Sequence, residues 1–391
     1  MGKKPLYYSH IFDKNASKSN YLQINEDKIL NMIKEYGYNG TITKITEMLE
    51  KYDFPYKKGY MTETAINNSF NKLQKYNYKL VETPYQVYSI TFINRFLYND
   101  KSLLLEKSPS DYLDYNLLSD YFQENCRMKC KRYDANESPF DFWIEHKSKV
   151  VTAAIKDYGK INIYTLRESI YKLSGECTSF RPTIMVSLIK FFNAKRILDF
   201  SAGWGDRLIG AMASGVEFYC GVDPNSCLHP NYQKMIDFFI KNDKDKKKFM
   251  MVHSPFETAK IPNKKYDLVC TSPPYFTLEI YSDESTQSTS SLSSSNSSSL
   301  SDSSNSNVDK WLNDFLFFSL RKAWKHLIKG GHMVIIINDM KEIKFVEKML
   351  NYVKDRIVDS KYLGTIGYAE KMNDQPGKYK SPQPMWIWQK I

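Results

Sequence analysis

Three short motifs in the second half of the chain carry residue types suited to holding a polar ligand. The first is Asp199-Phe200-Ser201-Ala202-Gly203-Trp204-Gly205, which follows an apolar run. Gly203 and Gly205 let the backbone approach a ligand before the next helix starts. Asp199 and Ser201 add oxygens that accept hydrogen bonds from it. Leu208 stands where a dinucleotide turn would place its third glycine, which disfavours NAD. The second motif is Gly221-Val222-Asp223-Pro224, whose acid lies 24 residues after Asp199. An acid at that place suits a ribose diol, although an Asp-Pro turn is also common without any ligand. The third is Cys270-Thr271-Ser272-Pro273-Pro274-Tyr275-Phe276. Pro273 and Pro274 stiffen the backbone and remove two N–H donors, leaving nearby carbonyls free to accept from an amine. Ser272 adds a short polar group, and Tyr275 adds a flat face on which a base can stack. Alone, this would be a tight turn with a packed tyrosine. Combined with the other two, it reads as a seat for an exocyclic amino group.

Such motifs work only if a scaffold brings strand ends together. The apolar runs Arg196 to Phe200, Phe218 to Val222, Phe249 to Val252, Tyr266 to Cys270 and Met333 to Ile337 are continuous rather than alternating. Continuous runs mark strands buried on both faces of a mostly parallel sheet. Helical stretches such as Asn231 to Lys241 and Trp311 to Leu327 separate them, which predicts an open α/β sheet with helices on both faces. Upstream, helices are expected over Glu26 to Tyr36, Ile42 to Tyr52 and Thr62 to Tyr76, broken at Asn39-Gly40-Thr41 and between Pro55 and Gly59. Three short helices there could form a helix-turn-helix, with a plain helical packing domain as the simpler reading. The expected organisation is a mainly helical region, residues 1–124, followed by an α/β domain, residues 125–391. Ser285 to Ser306 is mostly serine and is expected to be a flexible insert without chemistry, with phosphorylation as its alternative use.

The composition sets the outer limits. With 42% hydrophobic and 15% aromatic residues, the 391-residue chain can bury large cores, which excludes disorder throughout. The net charge of +11 favours a polyanionic partner, most simply nucleic acid. Lysine outnumbers arginine 46 to 9, a bias that a genome's base composition also produces. No apolar run reaches the ~18 residues of a membrane span, and the N-terminus lacks a signal-peptide stretch. The chain is therefore expected to be intracellular: cytoplasmic, or in the nucleus or a viral factory if a eukaryotic virus encodes it. Its six cysteines form no CxxC pair, and no histidine sits at finger spacing, so no metal site is expected. Cys126 and Cys130 could share a helix face.

Together, the Asp199–Gly205 turn, Asp223 and Ser272-Pro273-Pro274-Tyr275 resemble the S-adenosylmethionine-dependent amino-methyltransferases of DNA. Those enzymes methylate N4 of cytosine or N6 of adenine, and the Ser-Pro-Pro-Tyr form is more typical of the N4 group. The resemblance covers about residues 178 to 391. It implies a Rossmann-like methyltransferase sheet, S-adenosylmethionine as cofactor, and DNA as partner in preference to RNA. It also implies catalytic roles for Ser272, Pro273, Pro274 and Tyr275. Asp199, Ser201, Gly203, Gly205 and Asp223 would hold the cofactor. Phe180 and Thr183, in Phe180-Arg181-Pro182-Thr183, would close over its methionine part. Phe256 and Glu257, in His253-Ser254-Pro255-Phe256-Glu257, would meet its adenine. Glu279 would contact the base or stand as a solvated acid.

The motif order resembles the gamma arrangement of that family, which places target recognition at the C-terminus. Here only about fifty residues follow Asn338-Asp339, so recognition is expected from residues 1–124. Gly203-Trp204-Gly205-Asp206-Arg207 is bulkier than in many relatives and points to a distinct branch, viral or phage-like. The implied mechanism is in-line transfer to a flipped base, driven by positioning. Carbon-5 methylation is disfavoured because no Pro-Cys dipeptide exists. The alternatives are an RNA amino-methyltransferase and an inactive cofactor-binding fold used as a nucleic-acid-binding module.

Overall fold

The computed structural model describes residues 20–82, 97–107, 115–132, 135–274, 279–281, 304–339, 343–371 and 379–391. Tyr275 and the serine-rich insert up to residue 303 lie outside the described residues. The last three residues of that insert, expected to be flexible, open the helix Ser304–Trp311 instead.

In chain order the strands are β1 (Leu80–Glu82), β2 (Leu97–Tyr98), β3 (Lys101–Lys107), β4 (Lys131–Arg132), β5 (Arg196–Asp199), β6 (Phe218–Asp223), β7 (Phe249–His253), β8 (Tyr266–Thr271), β9 (Glu279–Ile280), β10 (Leu327–Ile336), β11 (Ser360–Lys371) and β12 (Tyr379–Lys390). Ten of them form one sheet in the order β1-β3-β2-β11-β12-β10-β8-β5-β6-β7. The run β10-β8-β5-β6-β7 is parallel throughout, and β12 lies antiparallel between β10 and β11. This is the expected Rossmann-like sheet, with helices on both faces. On one face Leu198, Val222, Val269 and Ile335 pack against Trp311, Leu316, Leu320 and Val353. Elsewhere the helices Pro182–Phe192 and Asp206–Ala213 pack together closely at Gly210, where an added Cβ would lie 2.6 Å from Met185 Cβ.

The chain winds from β5 outward to β6 and β7, then returns to the other side of β5 to make β8. The gap between the carboxyl ends of β5 and β8 is therefore the switch point at which open α/β sheets bind ligands.

The chain divides into two compact units. The smaller holds residues 1–68, 117–178 and 278–282, and the larger holds 69–116, 179–277 and 283–391. Residues 80–107, placed by the sequence in a helical region, supply β1, β2 and β3 to the large sheet. Their buried Leu103-Leu104-Leu105 run explains why. Among its described residues the smaller unit is mainly helical, with β4 and β9 pairing antiparallel and an isolated antiparallel bridge between Ile24 and Ile161. Its first helix, Glu26–Leu49, breaks at Gly37, whose φ of 71° leaves the helical region, and not at Asn39-Gly40 as expected. The helix Ile163–Leu173 starts on a capping box between Asn162 and Thr165. Ile29, Ile45, Leu49, Trp143, Val150 and Leu166 form the core.

Beside that core lies a buried ionic network. Arg127 donates to Asp120 at 2.6 Å and to Glu176 at 2.8 Å. Arg167, fully buried, donates to Glu124 at 2.7 Å and pairs with Glu176. Lys57 reaches Asp120 with its ammonium at 2.6 Å and Glu124 with its backbone N–H. The two guanidiniums hold the Glu176 carboxyl far below the usual carboxylate range against its desolvation.

Candidate cofactor and acceptor site

The three motifs stand at the carboxyl ends of β5, β6 and β8, which are neighbours in the sheet. The loop after β5 turns sharply at Gly203 (φ 58°) and Gly205 (φ 86°), conformations that favour glycine. Gly205 is doubly constrained, because an added Cβ would also lie 2.8 Å from Met235 Sδ. Gly203 has no such obstruction: its nearest neighbours would be 3.9 Å away. Tyr232 donates its hydroxyl to the Gly203 carbonyl and steadies the turn.

Asp199 serves the loop rather than presenting free oxygens. Its carboxylate is buried and accepts from Arg207 Nε at 2.7 Å, Tyr219 OH at 2.7 Å, Thr271 Oγ1 at 2.8 Å and Ser201 N at 3.3 Å. The expected direct contact with a ligand therefore gives way to a structural one: the lone pairs are spent inside the protein. Arg207 also donates to the Ser201 carbonyl and lies over the Phe180 ring, 4.8 Å from its centroid. Phe180 is thereby joined to the loop. Thr183 is buried in the first turn of the next helix.

Asp223 keeps capacity for a ligand. One oxygen accepts from Gly203 N at 2.8 Å and the other from Asn225 N at 3.0 Å, so each retains a lone pair. Burial pushes its carboxyl up to about 6, with the two backbone N–H groups pulling the other way. His229 and His253 brace the turn. Their Nε2 atoms donate to the carbonyls of Asp223 (2.8 Å) and Pro224 (3.2 Å), and their rings stack at 4.3 Å. The carbonyls accept, so both rings carry the proton on Nε2.

Phe256 departs from expectation. Its ring is buried in the core, stacked on Phe200 at 5.1 Å with the Lys322 ammonium 4.9 Å above it, and it turns no face to a ligand. An aromatic residue after Pro255 reads the same in sequence whether its ring faces the core or the cleft. Lys322 also donates to the carbonyls of Phe256, Glu257 and Ala259. Burial raises the Glu257 carboxyl above its ordinary range.

Ser272, Pro273 and Pro274 follow Thr271 at the end of β8, with Pro273 buried and its two neighbours half-buried. Glu279 belongs to β9 in the smaller unit. The sequence reading missed Arg207, Tyr219, Tyr232 and Thr271. Arg207 and Thr271 were visible beside the motifs, but nothing in a sequence pairs them with Asp199.

The residues present fit S-adenosylmethionine: each Asp223 carboxylate oxygen keeps a lone pair of the kind a ribose diol needs, and the loop beside it turns at Gly203 with a positive φ. No family model and no curated protein matches the sequence. Among solved structures, TrmN from Thermus thermophilus is similar over 55% of this chain and 50% of its own, at 13% identity and a TM-score of 0.34. An rRNA methylase from Streptococcus thermophilus is similar over 55% and 99%, at 12% identity and 0.32. A tRNA methyltransferase from Aquifex aeolicus is similar over 55% and 71%, at 11% identity and 0.32. The sheet assignment above rests on strand order and register. Among the described residues, no helix is long and apolar enough to cross a membrane. The cluster Glu137, Glu145 and His146 lies in the smaller unit, away from these motifs in sequence, and has no role in this reading.

Proposed function

We propose that the chain is an S-adenosylmethionine-dependent methyltransferase acting on an exocyclic amine of a base in DNA, cytosine N4 or adenine N6. The observation that carries this reading is the placing of a buried acid with lone pairs to spare, a glycine loop and a Ser-Pro-Pro turn at the ends of adjacent parallel strands around the switch point. Asp223 would take the ribose hydroxyls, and the loop from Ser201 to Gly205 would pass beneath the cofactor. The cofactor supplies a methyl group already activated by a sulfonium. Transfer would form an N–C bond as the C–S bond broke, with that bond's electron pair left on sulfur and the amine's proton released to water. The chain's own task is alignment. Ser272 and the Pro273 carbonyl would accept the amine's hydrogens and turn its lone pair toward the methyl. Tyr275 would stack on the flipped base.

Charge supports a nucleic-acid partner and favours the larger unit for the contact. Basic and acidic residues nearly balance in the smaller unit, so most of the +11 excess belongs to the larger one. The test is incubation with methyl-labelled cofactor and either duplex DNA or RNA, then identification of the labelled nucleoside by mass spectrometry. N4-methylcytosine or N6-methyladenine from DNA is the expected result. Label in RNA alone overturns the DNA reading, and cofactor binding without transfer to either overturns the enzyme reading.

A further inference from the structure

The cofactor loop and the acceptor turn must hold one distance between them, and the β5–β8 ladder does not reach their tips. Its register pairs run Ile197↔Leu268 and Leu198↔Val269 and stop there. Beyond them the strand ends carry a side-chain tie, Thr271 Oγ1 to Asp199 Oδ1 at 2.8 Å, between two residues that are each 0% exposed. Thr271 immediately precedes Ser272. Asp199 opens the glycine loop, and its other oxygen is held by Tyr219 of β6 and by Arg207 of the helix after the loop. One carboxylate thus joins the loop, β6, the following helix and the stem of the acceptor turn.

We infer that the Thr271 hydroxyl is a positioning residue for methyl transfer: it sets the separation between the methyl donor's loop and the amine's seat. This rests on the methyltransferase reading above. Thr271 touches neither reactant. Its hydroxyl is the donor that Asp199 Oδ1 faces from the far side of the switch point, where Ser201 N supplies a longer bond from the loop itself. An isosteric valine would leave that lone pair buried without its short donor. The two strand ends would then be free to shift, and a misplacement of about 1 Å costs on the order of a hundredfold in rate.

The experiment compares Thr271→Val and Thr271→Ser with the wild type in the full chain. It measures cofactor Kd by calorimetry, single-turnover rate on the methyl-accepting nucleic acid, and Tm. For Thr271→Val the expected result is a rate lower by roughly ten- to a hundredfold, with cofactor Kd within about threefold of wild type. Thr271→Ser, which keeps the donor, should recover the rate to within about threefold. An unchanged rate in Thr271→Val overturns the inference. A parallel loss of rate, affinity and Tm that serine fails to rescue also overturns it, because that is the signature of packing alone. Wild-type protein that binds no cofactor overturns the methyltransferase reading, and this inference with it. An active wild type matched by Thr271→Val overturns this inference alone.

Discussion

Two buried polar centres among the described residues solve different problems. In the smaller unit, three cations and three carboxylates from Lys57, Asp120, Glu124, Arg127, Arg167 and Glu176 cancel one another within a helical core. Every charge there has an opposite charge beside it, and the network joins segments far apart in sequence. In the larger unit, one carboxylate and one guanidinium, Asp199 and Arg207, are completed by neutral donors from Tyr219, Thr271 and a backbone N–H. The first centre resists loss of any member, because a partner would be left charged and dry. The second holds far less charge and ties a loop, a strand and the stem of a turn to one carboxylate. A many-membered charge network is built to hold, and a single shared acceptor is built to align.

The largest effect should come from breaking the first centre. Arg167→Met takes the guanidinium from Glu124 and leaves Glu176 with Arg127 alone, two anions for which the remaining cations no longer suffice, and should cost about 3–5 kcal/mol, read as a fall in the denaturation midpoint. A loss under 1 kcal/mol would mean that the network is surplus to the fold. Next, Asp223→Ala should raise the cofactor Kd by at least about 30-fold, from the lost charged acceptor for two hydroxyls. An unchanged Kd removes Asp223 from the site.

The two regions should also separate by pH. The Asp223 carboxyl is raised, so in the free protein its contribution to stability grows as pH falls through about 6. Cofactor affinity has the opposite slope, since the diol needs the ionised form. It should weaken about tenfold between pH 7 and pH 5, and Asp223→Asn should abolish that slope. The Glu176 carboxyl is depressed, so its contribution is present above the ordinary carboxylate range and lost only in stronger acid. Circular dichroism at pH 5 should therefore show an intact fold with weakened binding, and unfolding at pH 5 would break the distinction. Tyr219→Phe should cost about 1–1.5 kcal/mol of stability, with Arg207 still holding the same Asp199 oxygen. Smallest of all, deleting residues 285–303 should change turnover by less than about twofold, since that serine-rich sequence carries none of the residues assigned to the cofactor or the amine.

The sheet was legible because buried parallel strands are continuous apolar runs, and Arg196 to Asp199, Phe218 to Asp223 and Tyr266 to Thr271 all lie where those runs predict them. The contact of Asp223 with Gly203 N comes from the structure alone. Other features depend on contacts that no local pattern encodes. Asp199 looked like a ligand because an acid at a strand end looks the same whether its oxygens face a cleft or an arginine eight residues on. Phe256 looked like an adenine contact for the same reason. The helix break moved to Gly37 because a positive φ, and not the Asn-Gly pair, sets the kink. Residues 80–107 were lost to the helical region because their partner β11 lies more than 250 residues away.

The ladder between β4 and β9 bears on how the chain is made. Residues 1–68 and 117–178 of the smaller unit leave the ribosome about a hundred residues before Glu279 and Ile280 do. At ~5–20 residues per second, that is a wait of about 5 to 20 seconds. For that time β4 is an open edge, the kind of surface to which another nascent chain can add. The residues on it are Lys131 and Arg132. Two like charges side by side repel a second copy of the same edge, so the half-built unit is guarded until its own strand arrives.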